Sequence, residues 1–138
     1  MDKVNHFEIP AKNLKKNGKF YKKVFDWKII EVPGMPEYQI IHTTPVDDKQ
    51  MVKEKGAING GMFLKEEGDD RPVMITATVE SIDRTIKKVK ENGGAVTQEK
   101  TPIMKMGFIA YIRDPEGNMM GLFEYAKNND VESISDGF

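Results

Sequence analysis

Cysteine is absent from this 138-residue chain, so the chain has no disulfide framework, thiol nucleophile or cysteine metal site. No run approaches the ~20 apolar residues of a membrane span, and the first residues lack the charged-then-apolar layout of a signal peptide. An excess charge of one sign is also missing, with 21 basic against 22 acidic side chains. Phosphate binding needs a basic surplus, so we expect neither nucleic acid nor an anionic membrane as the partner. We expect a cytoplasmic protein.

What remains is a globular chain whose chemistry must come from carboxylates, two histidines, hydroxyls or a bound ion. Its length fits one domain with a core of its own. We place that domain at residues 1–127. Residues 128–138 are polar and without a period, and we interpret them as a C-terminal tail.

The first half of the chain predicts one strand, one helix and three further strands. Residues 4–11 alternate between polar and apolar side chains. This pattern puts Phe7 and Ile9 on one face of a strand and His6 and Glu8 on the other. A helix capped by Asn13 follows, with an apolar stripe of Leu14, Phe20, Tyr21, Val24 and Phe25. Strands are predicted over residues 27–32, 38–43 and 58–64, with a turn over 33–36. The glycine pair at 60–61 indicates a close backbone approach.

The second half repeats this order. A strand over 73–79 carries Met74, Thr76 and Thr78 on one face, and Ser81 caps a helix that ends at a glycine pair. Strands follow over 95–99, 108–113 and 118–125. A shift of 68 residues superimposes the first strand, the helix and the second strand of the two halves, and a shorter shift near 60 superimposes their last strands. This repeat of elements indicates an internal duplication with modules of about 1–66 and 70–127.

Four segments carry a resemblance to a known family. They are HFEIPAKN at 6–13, FYKKVFDW at 20–27, INGGM at 58–62 and DPEGN…GLFE at 114–124. In this order and spacing the chain resembles the vicinal oxygen chelate superfamily, the glyoxalase/bleomycin-resistance/extradiol-dioxygenase group. The resemblance implies an α+β fold in which two βαβββ modules form a curved, cup-shaped mixed sheet, often completed by a homodimer.

The resemblance also implies where a metal would be held, on the first and last strands of the modules. The first-strand positions fall on His6 and Met74, and the last-strand position of the second module falls on Glu124. The last strand of the first module offers Met62, Phe63 and Leu64, which are not useful ligands for a divalent ion. Zn, Ni, Mn or Fe needs three or four protein ligands, so the pair of His6 and Glu124 is incomplete unless Glu8 or a dimer partner adds a donor.

Three functions stay open at this point. The first is the binding of a small organic ligand, for which no cofactor is certain. The predicted ligand contacts are Glu8, His42, Met74, Thr76 and Tyr111. The second is a divalent-metal lyase, isomerase or dioxygenase that uses His6 and Glu124. In a metal-free variant of that chemistry Glu124 acts as a general base. The third is a non-catalytic regulatory or accessory dimer.

Overall fold

Two βαβββ modules make up the part of the chain that the computed structural model describes, residues 1–127. The predicted α+β class and the repeated element order are therefore confirmed. By their internal contacts the described residues group into two compact units, one of Asn5–Met74 and one of Met1–Val4 with residues 75–127. The predicted tail, residues 128–138, lies outside the described residues.

The first module forms a four-stranded sheet with one helix. Its elements are β1 (Lys3–Ala11), α1 (Leu14–Phe25), β2 (Lys28–Val32), β3 (Met35–His42) and β4 (Asn59–Leu64). The strand order is β2-β3-β4-β1, with β1 and β4 parallel and the other pairs antiparallel. Asn13 caps α1 as predicted, since its side chain accepts a hydrogen bond from the backbone N–H of Lys16 at 2.9 Å. Met35 and Pro36, predicted in a turn, belong to β3.

Packing in the first module follows the predicted alternation of β1. Ile9 and Ala11 are buried with Ile41 and Met62, and Phe7, Tyr21 and Trp27 pack against this cluster. The predicted stripe of α1 is only partly buried. Phe20, Val24 and Phe25 are 53%, 55% and 54% exposed, and Gly18 is the fully buried helix position. A Cβ atom at position 18 would lie 3.2 Å from Gln39 and from Ile29, so glycine suits this close approach of the helix to the sheet.

The second module repeats the architecture. Its elements are β5 (Met74–Thr78), α2 (Ile82–Glu91), β6 (Ala95–Ile103), β7 (Gly107–Arg113) and β8 (Met119–Tyr125). The order is β5-β8-β7-β6, with β5 and β8 parallel. Ser81 caps α2 by accepting from the backbone N–H of Arg84 at 3.2 Å, as predicted. β6 runs four residues past the predicted end at 99, because β7 continues to pair with it as far as Ile103.

The core of the second module lies between α2 and one face of its sheet. It consists of Val79, Ile82, Ile86, Ala110, Ile112 and Leu122. The other face of each sheet carries no helix of its own module, and we call it the helix-free face. No helix within residues 1–127 is long and apolar enough to cross a membrane.

Candidate functional site

The helix-free face of the first module carries a polar row on β1, β3 and β4. His6 and Glu8 lie on it, opposite the face of Ile9 that packs in the core, as the alternation predicts. Gly61 of β4 pairs with Glu8 on one side and with Ile40 of β3 on the other. Strand pairing therefore brings residues from distant parts of the chain into one row.

Tyr38 fills the space above Gly61. A Cβ atom at position 61 would overlap the Tyr38 hydroxyl and ring, so only glycine permits this placement. The phenol oxygen of Tyr38 lies 3.4 Å from Nε2 of His6, a long hydrogen bond. The predicted close approach at the glycine pair is thereby confirmed, and the neighbouring group is now identified as a tyrosine.

Electrostatics keep His6 neutral. Its Nε2 lies 4.0 Å from Oε1 of Glu8, a residue with only 7% of its surface exposed. Burial lowers the pKa of His6 from 6.5 to about 4, because the charged imidazolium loses its hydration there. At neutral pH the site therefore presents an uncharged imidazole and a phenol next to a buried glutamate.

The depressed pKa of His6 makes stability depend on pH. As pH falls from 6.5 towards 4, the unfolded chain protonates its imidazole before the folded chain does, so the free energy of unfolding falls. Because 35% of the side chain is exposed, solvent screening limits the loss to about 1–2 kcal/mol. Urea unfolding at pH 7.5 and 4.5 should show this loss in the wild type and less of it in His6→Gln. An equal loss in both proteins would contradict the assignment.

His42 ends β3 on the same face as Tyr38, at the border of a separate open pocket. This pocket of about 610 Å³ is also lined by Lys28, Thr44 and Gln50, among others. Burial, and then the charge of Lys28, lower the pKa of His42, so it is also neutral at pH 7. The structure thus places His42 in a pocket, and its role as a ligand contact stays a prediction.

In the second module, Thr76 and Tyr111 lie on either side of Gly121. Gly121 of β8 pairs with Thr76 of β5 and with Tyr111 of β7, which puts the three residues in one row on the helix-free face. A Cβ atom at position 121 would lie 2.5 Å from Oγ1 of Thr76. Thr76 and Tyr111 are 4% exposed, and Met74 is 2% exposed. The Thr76 hydroxyl finds no hydrogen-bond partner within the described part of the chain, so a bound polar group could pair with it.

Glu124 lies on the opposite, helix-covered face of the second module. Its Oε1 accepts a hydrogen bond of 2.7 Å from the backbone N–H of Ile82, the first residue of α2. Its Oε2 lies 3.5 Å from Nζ of Lys100, which also contacts Asp83 at 3.3 Å. A carboxylate at a helix N-terminus interacts favourably with the helix dipole. Oε1 of Glu124 therefore anchors α2 to the sheet directly, and Oε2 contributes only through Lys100, which bridges to Asp83 of α2.

The side chains present do not fit a divalent metal ion. Within residues 1–127 no three His, Cys, Asp or Glu side chains come close enough together to hold one. In the first module Tyr38 occupies the space above Gly61, and in the second the oxygens of Glu124 are engaged by Ile82 and Lys100. His6 and Glu8 lie together, but two donors are fewer than such an ion needs. The roles predicted for His6 and Glu124 as metal ligands stay predictions.

Sequence reasoning missed two site residues, Tyr38 and Lys100. Tyr38 belongs to the predicted face of β3, but the register that places it above Gly61 is a tertiary property. Lys100 follows the predicted end of its strand, and its contact with Glu124 depends on the added length of β6. The one usable signal was the glycine pair at 60–61, which indicated a neighbour without identifying it.

Comparison with known proteins defines the class. The family model of the Glyoxalase/Bleomycin resistance protein/Dioxygenase superfamily matches residues 3–122. The chain belongs to this superfamily, and the resemblance inferred from its four segments is confirmed.

Individual relatives are more distant. The chain is 27% identical over 125 residues to lactoylglutathione lyase of Escherichia coli O157:H7. The alignment covers 86% of this chain and 90% of that protein. Among solved structures, methylmalonyl-CoA epimerase from Mycobacterium tuberculosis matches with a TM-score of 0.63 and 14% identity, over 93% of this chain and 91% of the epimerase. A superfamily member from Vibrio splendidus 12B01 matches with a TM-score of 0.59 and 12% identity, over 90% of this chain and 99% of the Vibrio chain. These structural matches support the fold alone.

Proposed function

We propose that this protein binds a small organic ligand through the helix-free face of its first module. The observation that carries the proposal is the cluster of Glu8, His6 and Tyr38, in which a buried acid lies beside two neutral polar groups. Buried polar groups are stable when they have partners, and a ligand with several oxygen atoms could supply further hydrogen bonds. Met74, Thr76 and Tyr111 of the second module, and His42 at its separate pocket, remain proposed ligand contacts outside this cluster.

The names of two relatives supply probes for this proposal. We expect S-lactoylglutathione or methylmalonyl-CoA to raise the Tm of the purified protein, because a ligand that binds the native state stabilises it. Isothermal titration should then give a Kd that rises roughly tenfold or more in His6→Ala, since each lost hydrogen bond of this kind contributes about 1.4 kcal/mol. Lys15→Ala, on the exposed side of α1, is the control and should bind like the wild type. Absence of binding by both probes would count against the proposal for this ligand class.

The second candidate is a divalent-metal lyase that uses His6 and Glu124. The 27% identity to lactoylglutathione lyase favours it, whereas the contacts of both Glu124 oxygens with Ile82 and Lys100 count against it. Elemental analysis of protein purified without a metal-binding tag separates the two candidates. Stoichiometric Zn, Ni, Mn or Fe that is lost in His6→Ala and in Glu124→Ala would support the lyase. Turnover of S-lactoylglutathione that depends on the same metal would strengthen that case.

Two further proposals come from the sequence and the family. We propose a homodimer, because superfamily members often dimerise, and a cytoplasmic location, because the chain is free of cysteine. Sedimentation velocity at several concentrations and fractionation of the source cells test these proposals.

A further inference from the structure

We infer that the Tyr38 side chain occupies the space in the first module where a side chain at position 61 of β4 would complete a metal site. This module would then hold the oxygen atoms of a ligand by hydrogen bonds instead of through a metal ion. The part of the inference that concerns the ligand rests on the proposed function. The part that concerns Tyr38 and Gly61 rests on geometry alone.

The first step of the argument is space. β4 is the last strand of the first module, and Gly61 is its residue opposite Glu8, on the same face as His6. A donor side chain at position 61 would therefore stand beside two donors of β1. The ring and hydroxyl of Tyr38 occupy that volume, and no side chain at position 61 fits while Tyr38 stays there.

The second step is the chemistry of the substitute. A tyrosine hydroxyl has a pKa near 10 in water, so at neutral pH it is an uncharged hydrogen-bond donor and acceptor. His6 lies within 3.4 Å of it and is engaged by it. The cluster therefore contains one imidazole, one phenol and one carboxyl group, a set that suits hydrogen bonding better than coordination of a divalent ion.

The third step is the class of ligand. While Tyr38 and His6 are hydrogen-bonded to each other, one hydrogen of the pair, on the phenol or on the other imidazole nitrogen, is left to donate to a ligand oxygen, and the Glu8 carboxylate can accept from a hydroxyl or an amide. Because this donor and this acceptor lie side by side, the complementary ligand carries a carbonyl or carboxylate oxygen next to a hydroxyl group. The 2-hydroxy acids and their derivatives have this arrangement.

An exchange experiment tests the inference with Ni²⁺ alone. In Tyr38→Ala/Gly61→Glu the phenol is removed and a carboxylate takes its space beside His6 and Glu8. We expect this variant to bind Ni²⁺ at least roughly tenfold more tightly than the wild type by isothermal titration. Tyr38→Ala, which opens the space without adding a donor, is the matched control and should not gain affinity. Adding His6→Ala to the exchange variant should abolish the gain.

Two outcomes would overturn the inference. One is an exchange variant that is folded by circular dichroism and gains no affinity for Ni²⁺. The other is a wild-type protein that already binds Ni²⁺ as tightly as the exchange variant. Neither result depends on whether an organic probe binds, so failure of the proposed function is seen separately, in the titrations with S-lactoylglutathione and methylmalonyl-CoA.

A second measurement covers the case in which the exchange variant does not fold. Tyr38→Phe keeps the ring above Gly61 and removes only the hydroxyl. We expect the ¹⁵N resonance of Nε2 in His6 to shift in this variant, because its hydrogen-bond partner is gone, while the resonances of His42 stay in place. Unchanged His6 resonances would show that the phenol does not engage the imidazole and would overturn the inference.

Discussion

Replacing Gly61 with alanine is expected to lower the free energy of unfolding by about 3 kcal/mol, since a single overpacked methyl group in a tightly packed position typically costs 1–3 kcal/mol or more. The new Cβ atom would overlap the Tyr38 hydroxyl and ring. Tyr38 would then have to leave its place beside His6. Urea unfolding followed by circular dichroism measures the loss.

Tyr38, the residue that the new Cβ atom would overlap, provides the control for this prediction. In a Tyr38→Ala background the obstructing ring is gone, so Gly61→Ala should cost much less than in the wild type. The double-mutant cycle should give a coupling energy of about 2 kcal/mol, within the range found for residues in contact. Additive effects of the two substitutions would show that the clash does not determine the need for glycine.

Glu124→Ala is expected to cost about 2–4 kcal/mol of stability, because it removes a buried acceptor and leaves the N–H of Ile82 unpaired at the start of α2. Glu124→Gln keeps an oxygen for that N–H and loses only the charge that faces Lys100. We therefore expect the glutamine variant to be destabilised by about 1 kcal/mol. Chemical denaturation of the two variants against the wild type measures both values.

Asp83→Asn is the matched control for Glu124, because Asp83 is the other carboxylate that contacts Lys100 and its side chain is 74% exposed. Exposed ion pairs contribute little, so this variant should lose at most about 0.5 kcal/mol. If Glu124→Ala were as stable as Asp83→Asn, the anchoring of α2 by Glu124 would be wrong. If Glu124→Gln kept its stability but lost a bound metal, Glu124 would be acting as a ligand.

Much of the fold could be predicted because its signals are local. The alternation around His6 identified the two faces of β1, and the caps at Asn13 and Ser81 marked where both helices begin. Repetition of these signals in the second half then gave the βαβββ order. Each depends on side chains within a few positions of one another, and a single sequence contains that information.

The site was harder to predict because it depends on pairing between distant strands. Alternation puts Glu124 on the same face as Leu122, but only the packing of α2 on that face shows what its carboxylate contacts. The position of Tyr38 above Gly61 likewise requires the register between β3 and β4. The exposure of Phe20 is also a property of how α1 packs on the sheet, which helical periodicity does not reveal.

The parallel pairing of β1 with β4 also has a consequence for the order of folding. Ile9 pairs with Met62, which lies 53 positions further along the chain (62 − 9), whereas β2 and β3 are joined by a short turn. Closing the long loop costs more entropy and is slower than forming the hairpin. We therefore expect β1 to dock after the β2–β3 hairpin has formed. His6 and Glu8 would then meet Gly61 late in folding, when most of the first module is already in place.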